Sequence, residues 1–170
     1  MNQDQVMTQR AELRIPAFGN IPEISLSLTY IKEGERRLVE SQFVNGATYS
    51  ELEYSFNEGY REAKKNLSTI MYQKEMAEKA IRKSKSEYLL DEYQDFLRAK
   101  KIKDSTDIRE SFLETKEDYV KAMDRLSMLR AMECLMEGKL KSFENTCRTM
   151  RKEMDIQLRS GSIDNNKYIR

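Results

Sequence analysis

The side chains able to do chemistry are few, and they are spaced badly for catalysis. The 170-residue sequence contains no histidine, which removes the commonest general base, nucleophile activator and metal ligand. Its two cysteines, Cys134 and Cys147, lie roughly 20 Å apart if one helix carries both. That is beyond disulfide reach, and two thiols without histidine make no zinc site. Reduced cysteines of this kind suit a reducing compartment. Acidic pairs such as Asp91-Glu92 and Glu117-Asp118 read as solubilising charge on helix faces. Gly19, Gly34, Gly46 and Gly59 stand singly, so no glycine-rich loop is available to cradle a phosphate. The expectation is a protein that is not an enzyme and uses no cofactor or metal.

The chemistry that remains is that of cations. Residues 61–103 hold 12 basic against 7 acidic residues, although the whole chain carries a net charge of only +1. Within Lys79-Ala-Ile-Arg82-Lys83-Ser-Lys85 there is no acid. Lys79, Arg82 and Lys83 fall at i, i+3 and i+4, so a helix gathers them on one face. Tyr72, one heptad earlier, joins that face, and Tyr88 follows it. A second cluster contains Arg98, Lys100, Lys101 and Lys103. Cations on a rigid helix beside an aromatic ring suit phosphate contact with base stacking. This makes Lys79, Arg82, Lys83, Lys85, Lys100 and Lys101, with Tyr72 and Tyr88, the candidate nucleic-acid-binding residues. The bland alternative is a solvated face, with Glu75, Glu78 and Glu87 pairing with the lysines one turn away.

The elements that position these residues are read as helices. Charged residues make up 35% of the chain and the mean hydropathy is −0.78, a balance typical of long helices and coiled coils. Residues 1–22 are expected to form a flexible or strap-like arm. A short helix is expected over 23–45, entered at Pro22 and ended at Asn45-Gly46. Thr48-Tyr-Ser-Glu51 reads as a capping box that opens a long helical hairpin over 48–158, with its turn near 102–106. Its first seam reads Tyr60, Ala63, Leu67, Ile70, Lys74, Ala77, Ile81, Ser84, Tyr88. Its second runs from Ile108 through Ala122, Leu126, Leu129, Glu133, Met136, Leu140, Phe143, Cys147 and Met150 to Met154. Residues 159–170 read as a flexible tail.

The fold class expected is therefore all-α: a long antiparallel helical hairpin or coiled coil with a short N-terminal helix, assembling as a homo-oligomer. The apolar stripe widens between residues 122 and 143, and a wider stripe needs a second partner surface. Leu126, Leu129, Met132, Leu135, Met136, Leu140 and Phe143 are the oligomer-interface residues this implies. No apolar run has transmembrane length, the N-terminal MNQDQVMTQR does not read as a signal peptide, and the basic helix lacks the bulky apolar face of a membrane-surface helix. A cytoplasmic protein without a membrane role is expected.

Gln73-Lys74-x-x-Ala77-x-Lys79-Ala80, followed by basic residues and Tyr88, resembles the central segment of tailed-phage recombination mediator proteins of the UvsY type. Glu117-Asp118-Tyr-Val-Lys121 leads into a striped helix ending in Met150-Arg151-Lys152, a second match. The resemblance spans about residues 65–152, and residues 1–47 inherit nothing from it. It implies a small helical protein, a ring-like homo-oligomer built through the C-terminal helices, that binds single-stranded DNA. Such proteins help load a RecA-like recombinase onto strands covered by single-strand-binding protein, which places the chain in the host-cell cytoplasm if it is phage-encoded. The family's basic DNA-contact motif falls on Lys79 directly. Arg82 lies one residue beyond the aligned place, which Ile81 occupies. The competing reading is a structural or adaptor coiled coil that binds another protein and has no nucleic-acid role.

Overall fold

A computed structural model describes residues 11–19 and 21–160. Its elements, in chain order, are β1 (Glu12–Ile15), β2 (Ile24–Ser27), α1 (Thr29–Arg36), a 3-10 turn (Glu40–Phe43), α2 (Tyr49–Asp91), α3 (Tyr93–Lys100), α4 (Thr106–Glu114) and α5 (Glu117–Arg159). The protein is mostly helical, with two 43-residue helices, α2 and α5. It divides into two compact units. One combines the described residues up to Leu67 with those from Leu135 onward, and the other spans Ser68–Cys134.

The first unit corrects the all-α expectation. In place of a helix from residue 23, β1 and β2 pair antiparallel with Leu13 opposite Leu26 and Ile15 opposite Ile24. The cause is the alternation Ile24-Ser-Leu26-Ser, a period of two that places Leu26 and Ile15 on one buried face. Phe18 and Ile21 exchange two backbone bonds of 2.9 Å, and Gly19 takes the left-handed φ of 54° needed to turn the chain. The part of the expected arm within residues 11–19 is thus paired sheet. Residues 1–10 and the tail beyond Ser160 lie outside the described residues.

Helix α1 begins only at Thr29 and carries no side-chain cap of its own. Its start is held from α2 instead. Glu62 accepts from the Ile31 amide at 2.9 Å and from the Ser27 hydroxyl at 2.7 Å, supplying a carboxylate where the helix dipole favours one. Asn66 donates to the Ser27 carbonyl at 2.7 Å. The entry to α2 also differs from the expected capping box. Asn45 accepts from the amides of Ala47 and Thr48, while Glu51 pairs with Arg37 at 3.6 Å.

The first seam keeps Ala63, Ile70 and Ala77 of its expected row, but Gly59, Asn66 and Gln73 replace Tyr60, Leu67 and Lys74. The buried row of α2 runs Leu52, Phe56, Gly59, Ala63, Asn66, Ile70, Gln73, Ala77, an unbroken alternation of four and three. Tyr60, Leu67 and Lys74 flank it, half-buried. Matching by hydrophobicity favours these larger neighbours, whereas close packing selects small residues and hydrogen-bonded amides. On α5 the buried row includes Ala122, Leu126, Leu129, Met136, Phe143 and Met150.

That burial corrects the oligomer-interface assignment for Leu126, Leu129, Met136 and Phe143, which are filled against the chain's own elements. In the first unit Phe143 meets Phe56 at a centroid distance of 6.1 Å. A Cβ added to Gly34 or Gly59 would come within 2.8 or 3.0 Å of the Phe143 ring. Met132 and Leu140 are half-buried, and of the seven only Leu135 is exposed.

The second unit is an antiparallel pairing of its own. Lys74 bridges Glu133 at 2.7 Å, and Arg125, itself buried, donates to Gln73 at 3.0 Å. The expected single turn is more elaborate. α2 stops at Asp91 and α4 at Glu114, and the two breaks are joined by the Lys116–Glu92 ion pair. Between them lies an aromatic cluster in which Phe112 packs on Tyr93 at 5.3 Å and on Phe96 at 5.0 Å. Ser105 caps α4, accepting from the Ile108 amide. Asp104 instead receives the Tyr93 hydroxyl at 2.7 Å and the Arg109 guanidinium at 2.8 Å.

Phe143→Ala should destabilise the protein by about 3–5 kcal/mol, because a buried ring leaves a cavity. Leu135→Ala should change stability by no more than about 0.5 kcal/mol. Urea denaturation of the two variants measures both. The Arg109 and Tyr93 hydrogen bonds hold the Asp104 carboxyl below its ordinary range. A carboxyl so depressed stabilises the turn fully above its unfolded pKa and loses that contribution as pH falls through the lower native value. The protection of the Ile108 amide relative to its intrinsic exchange rate should therefore fall on acidification, and Asp104→Asn should flatten that dependence.

Candidate nucleic-acid interface

All eight candidate contact residues belong to the second unit, and the helix decides which of them share a surface. The row Gln73 and Ala77 turns inward, so Tyr72, Lys79, Arg82 and Lys83 fall on the outer side of α2. Each of these is exposed, with Tyr72 at 59%. Lys79 pairs with Glu75 at 2.8 Å and Lys83 with Glu87 at 3.7 Å. Arg82 donates from Nε to the Glu78 carbonyl at 3.4 Å and makes no ion pair among the described residues. Lys85 is exposed and makes no ion pair among the described residues.

The glutamates do not lock this face. The Lys79 hydrogen bond holds the Glu75 carboxyl below its ordinary range, so that carboxylate stays charged at neutral pH. An exposed pair of this type is worth only about 0–1 kcal/mol. A polyanion that offers several phosphates can displace such partners one by one, releasing counterions as it does.

Lys100 occupies the last turn of α3. Lys101 closes that helix in the left-handed conformation, with φ of 54°. Both are exposed and free of ion pairs among the described residues. Their backbone is set by the bond from the Lys101 amide to the Arg98 carbonyl at 3.3 Å, which leaves the ammonium groups solvated.

Tyr88 is a correction. Its ring packs against the Tyr93, Phe112 and Leu113 cluster, and the Lys116 ammonium lies 5.1 Å from its centroid. A ring used in this way offers no platform to a base. The misleading signal was sequence proximity to the basic run; the helix carries Tyr88 to the inner side. Lys116 was missed altogether, because its partners Glu92, Tyr88 and Phe112 come together only when the two helix breaks face each other.

Among the described residues no group of three or more acidic or cysteine side chains is placed to hold a metal ion, and no helix is long and apolar enough to cross a membrane. No protein-family model, curated protein or solved structure matches this chain.

The different settings of the two tyrosines give a direct comparison. Tyr72→Ala should leave thermal stability within about 0.5 kcal/mol of the parent. Tyr88→Ala should cost about 2–4 kcal/mol, as loss of a packed aromatic does. Equal effects in thermal denaturation would contradict the burial difference.

Proposed function

We propose that the chain is a non-enzymatic single-stranded-DNA-binding protein that acts as a recombination mediator, helping a RecA-like recombinase load onto DNA coated with single-strand-binding protein. The observation that carries the DNA-binding part is the outer face of α2, where Lys79, Arg82 and Lys83 stand exposed beside exposed Tyr72. Its geometry supports the reading through cations spaced one helical turn apart and one ring left free to stack. The mediator role is supported by the resemblance of residues 65–152 to proteins of the UvsY type. Self-association belongs to the same proposal, since copies of one face held together multiply phosphate contacts and raise affinity steeply.

A second reading, a protein-binding adaptor, is favoured by exposed apolar side chains in the same unit. Met71 is 50% exposed and Leu90 is 76% exposed, enough for a partner helix to cover. The two readings separate in one titration. Fluorescence anisotropy with a labelled oligo-dT should show binding whose log-affinity falls linearly with log salt, by about 0.7 per phosphate neutralised. Lys79→Glu combined with Arg82→Glu should weaken it at least about tenfold with an unchanged circular dichroism spectrum. Undiminished binding in that variant overturns the face assignment, and absence of parent binding at moderate salt supports the adaptor.

A further inference from the structure

The first unit contains a groove of about 530 Å³ that none of the preceding argument uses. Asn57 and Tyr60 of α2 form one wall, and Cys147, Arg148 and Lys152 of α5 line the other above the Phe143 ring. Its volume lies within the range of small-molecule sites, about 300–1,000 Å³, and well exceeds the space of a single inorganic anion.

The charges of the lining are unevenly committed. Arg151 is held by Glu53 at 2.9 Å, and Glu144 accepts from the Tyr60 phenol, which raises the phenol's pKa. Burial pushes the Cys147 thiol up as well, so this thiol adds no charge to the groove. Arg148 and Lys152 are left. They are one turn apart, exposed, and without an ion pair or hydrogen-bonded side-chain partner among the described residues. Asn57 likewise keeps its amide free of protein partners.

We infer that this groove binds one nucleotide, with its phosphate between Arg148 and Lys152 and its base against Tyr60. Two adjacent free cations provide the charge-assisted donors that a phosphate takes. The tyrosine ring and apolar floor suit a planar base. The Asn57 amide can both donate to and accept from the edge of a base, the pairing an amide makes with adenine. The site goes beyond the face at Lys79–Lys85 and does not depend on it.

The test is an amide chemical-shift titration of the full-length, isotope-labelled chain with deoxyadenosine monophosphate. Deoxyadenosine and inorganic phosphate serve as separate controls. The mononucleotide should shift the amides of Asn57, Tyr60 and residues 147–152 saturably. Each control should bind at least about tenfold more weakly, because the two anchors act together only on the intact ligand. Arg148→Glu with Lys152→Glu should lower mononucleotide affinity at least about tenfold, and Arg148→Gln with Lys152→Gln, which adds no repulsion, should lower it in the same direction. The Lys79→Glu, Arg82→Glu variant should bind the mononucleotide as the parent does, which keeps this result separate from the fate of the DNA-binding face. The inference is overturned by absence of saturable shifts, by phosphate binding as tightly as the nucleotide, or by unchanged affinity in the Arg148 and Lys152 variants.

Discussion

The ring of Phe143 determines how closely the elements of the first unit approach one another. It lies on Phe56 and in the space left by Gly34 and Gly59, two positions where any side chain would collide with it. Gly59 also lies near the Tyr30 carbonyl, 3.1 Å from where its Cβ would be, so α1 can rest against α2 only because that glycine has no side chain. This close approach lets Glu62 reach the first turn of α1 and Asn66 reach the carbonyl of Ser27. The β-hairpin and α1 are therefore anchored by polar atoms of α2. A glycine inside a helix costs about 1 kcal/mol relative to alanine, and an aromatic ring buried against it more than offsets that cost.

The second unit uses polar groups where the first uses a ring. Gln73 and Arg125 meet in the interior, with the Lys74–Glu133 pair beside them. Desolvation holds the Arg125 guanidinium below its ordinary pKa, a sign that its burial opposes the charge. Interactions of this kind add little net stability. Their geometric demand acts on alignment, because sliding one helix by a turn would strand a buried charge, as polar seam residues do in coiled coils. At the end of the unit the aromatic cluster and Asp104 take over, and the helices break where Glu92 and Lys116 meet.

What these cores leave outside is consistent with a binding role. The cations of α2 from Lys79 to Lys83 are excluded from the seam by helical spacing and carry only weak, exposed glutamate partners. Arg148 and Lys152 arise differently. On α5, Lys139 and Arg151 are taken by Glu35 and Glu53, whereas Arg148 and Lys152 line the groove without an ion pair among the described residues.

The sequence alone was sufficient for the long helices, for the α5 row from Ala122 to Met150, and for the outward placement of Lys79, Arg82 and Lys83. Each follows from a periodicity carried by consecutive residues, which the backbone imposes without help from distant parts of the chain. Histidine's absence likewise limited the available chemistry before any folding. Tertiary structure decided the rest. Gly59, Asn66 and Gln73 became seam residues because their neighbours across space needed room or a hydrogen bond, and hydrophobicity along the chain conceals both needs. The helix expected over 23–45 yielded to a hairpin and a shorter α1 because Ser27, Glu62 and Asn66 are far apart in sequence and adjacent only when folded. Phe143 and Leu129 turned from expected subunit contacts into the chain's own core for the same reason: an apolar stripe specifies that something must cover it, and only the folded chain specifies what.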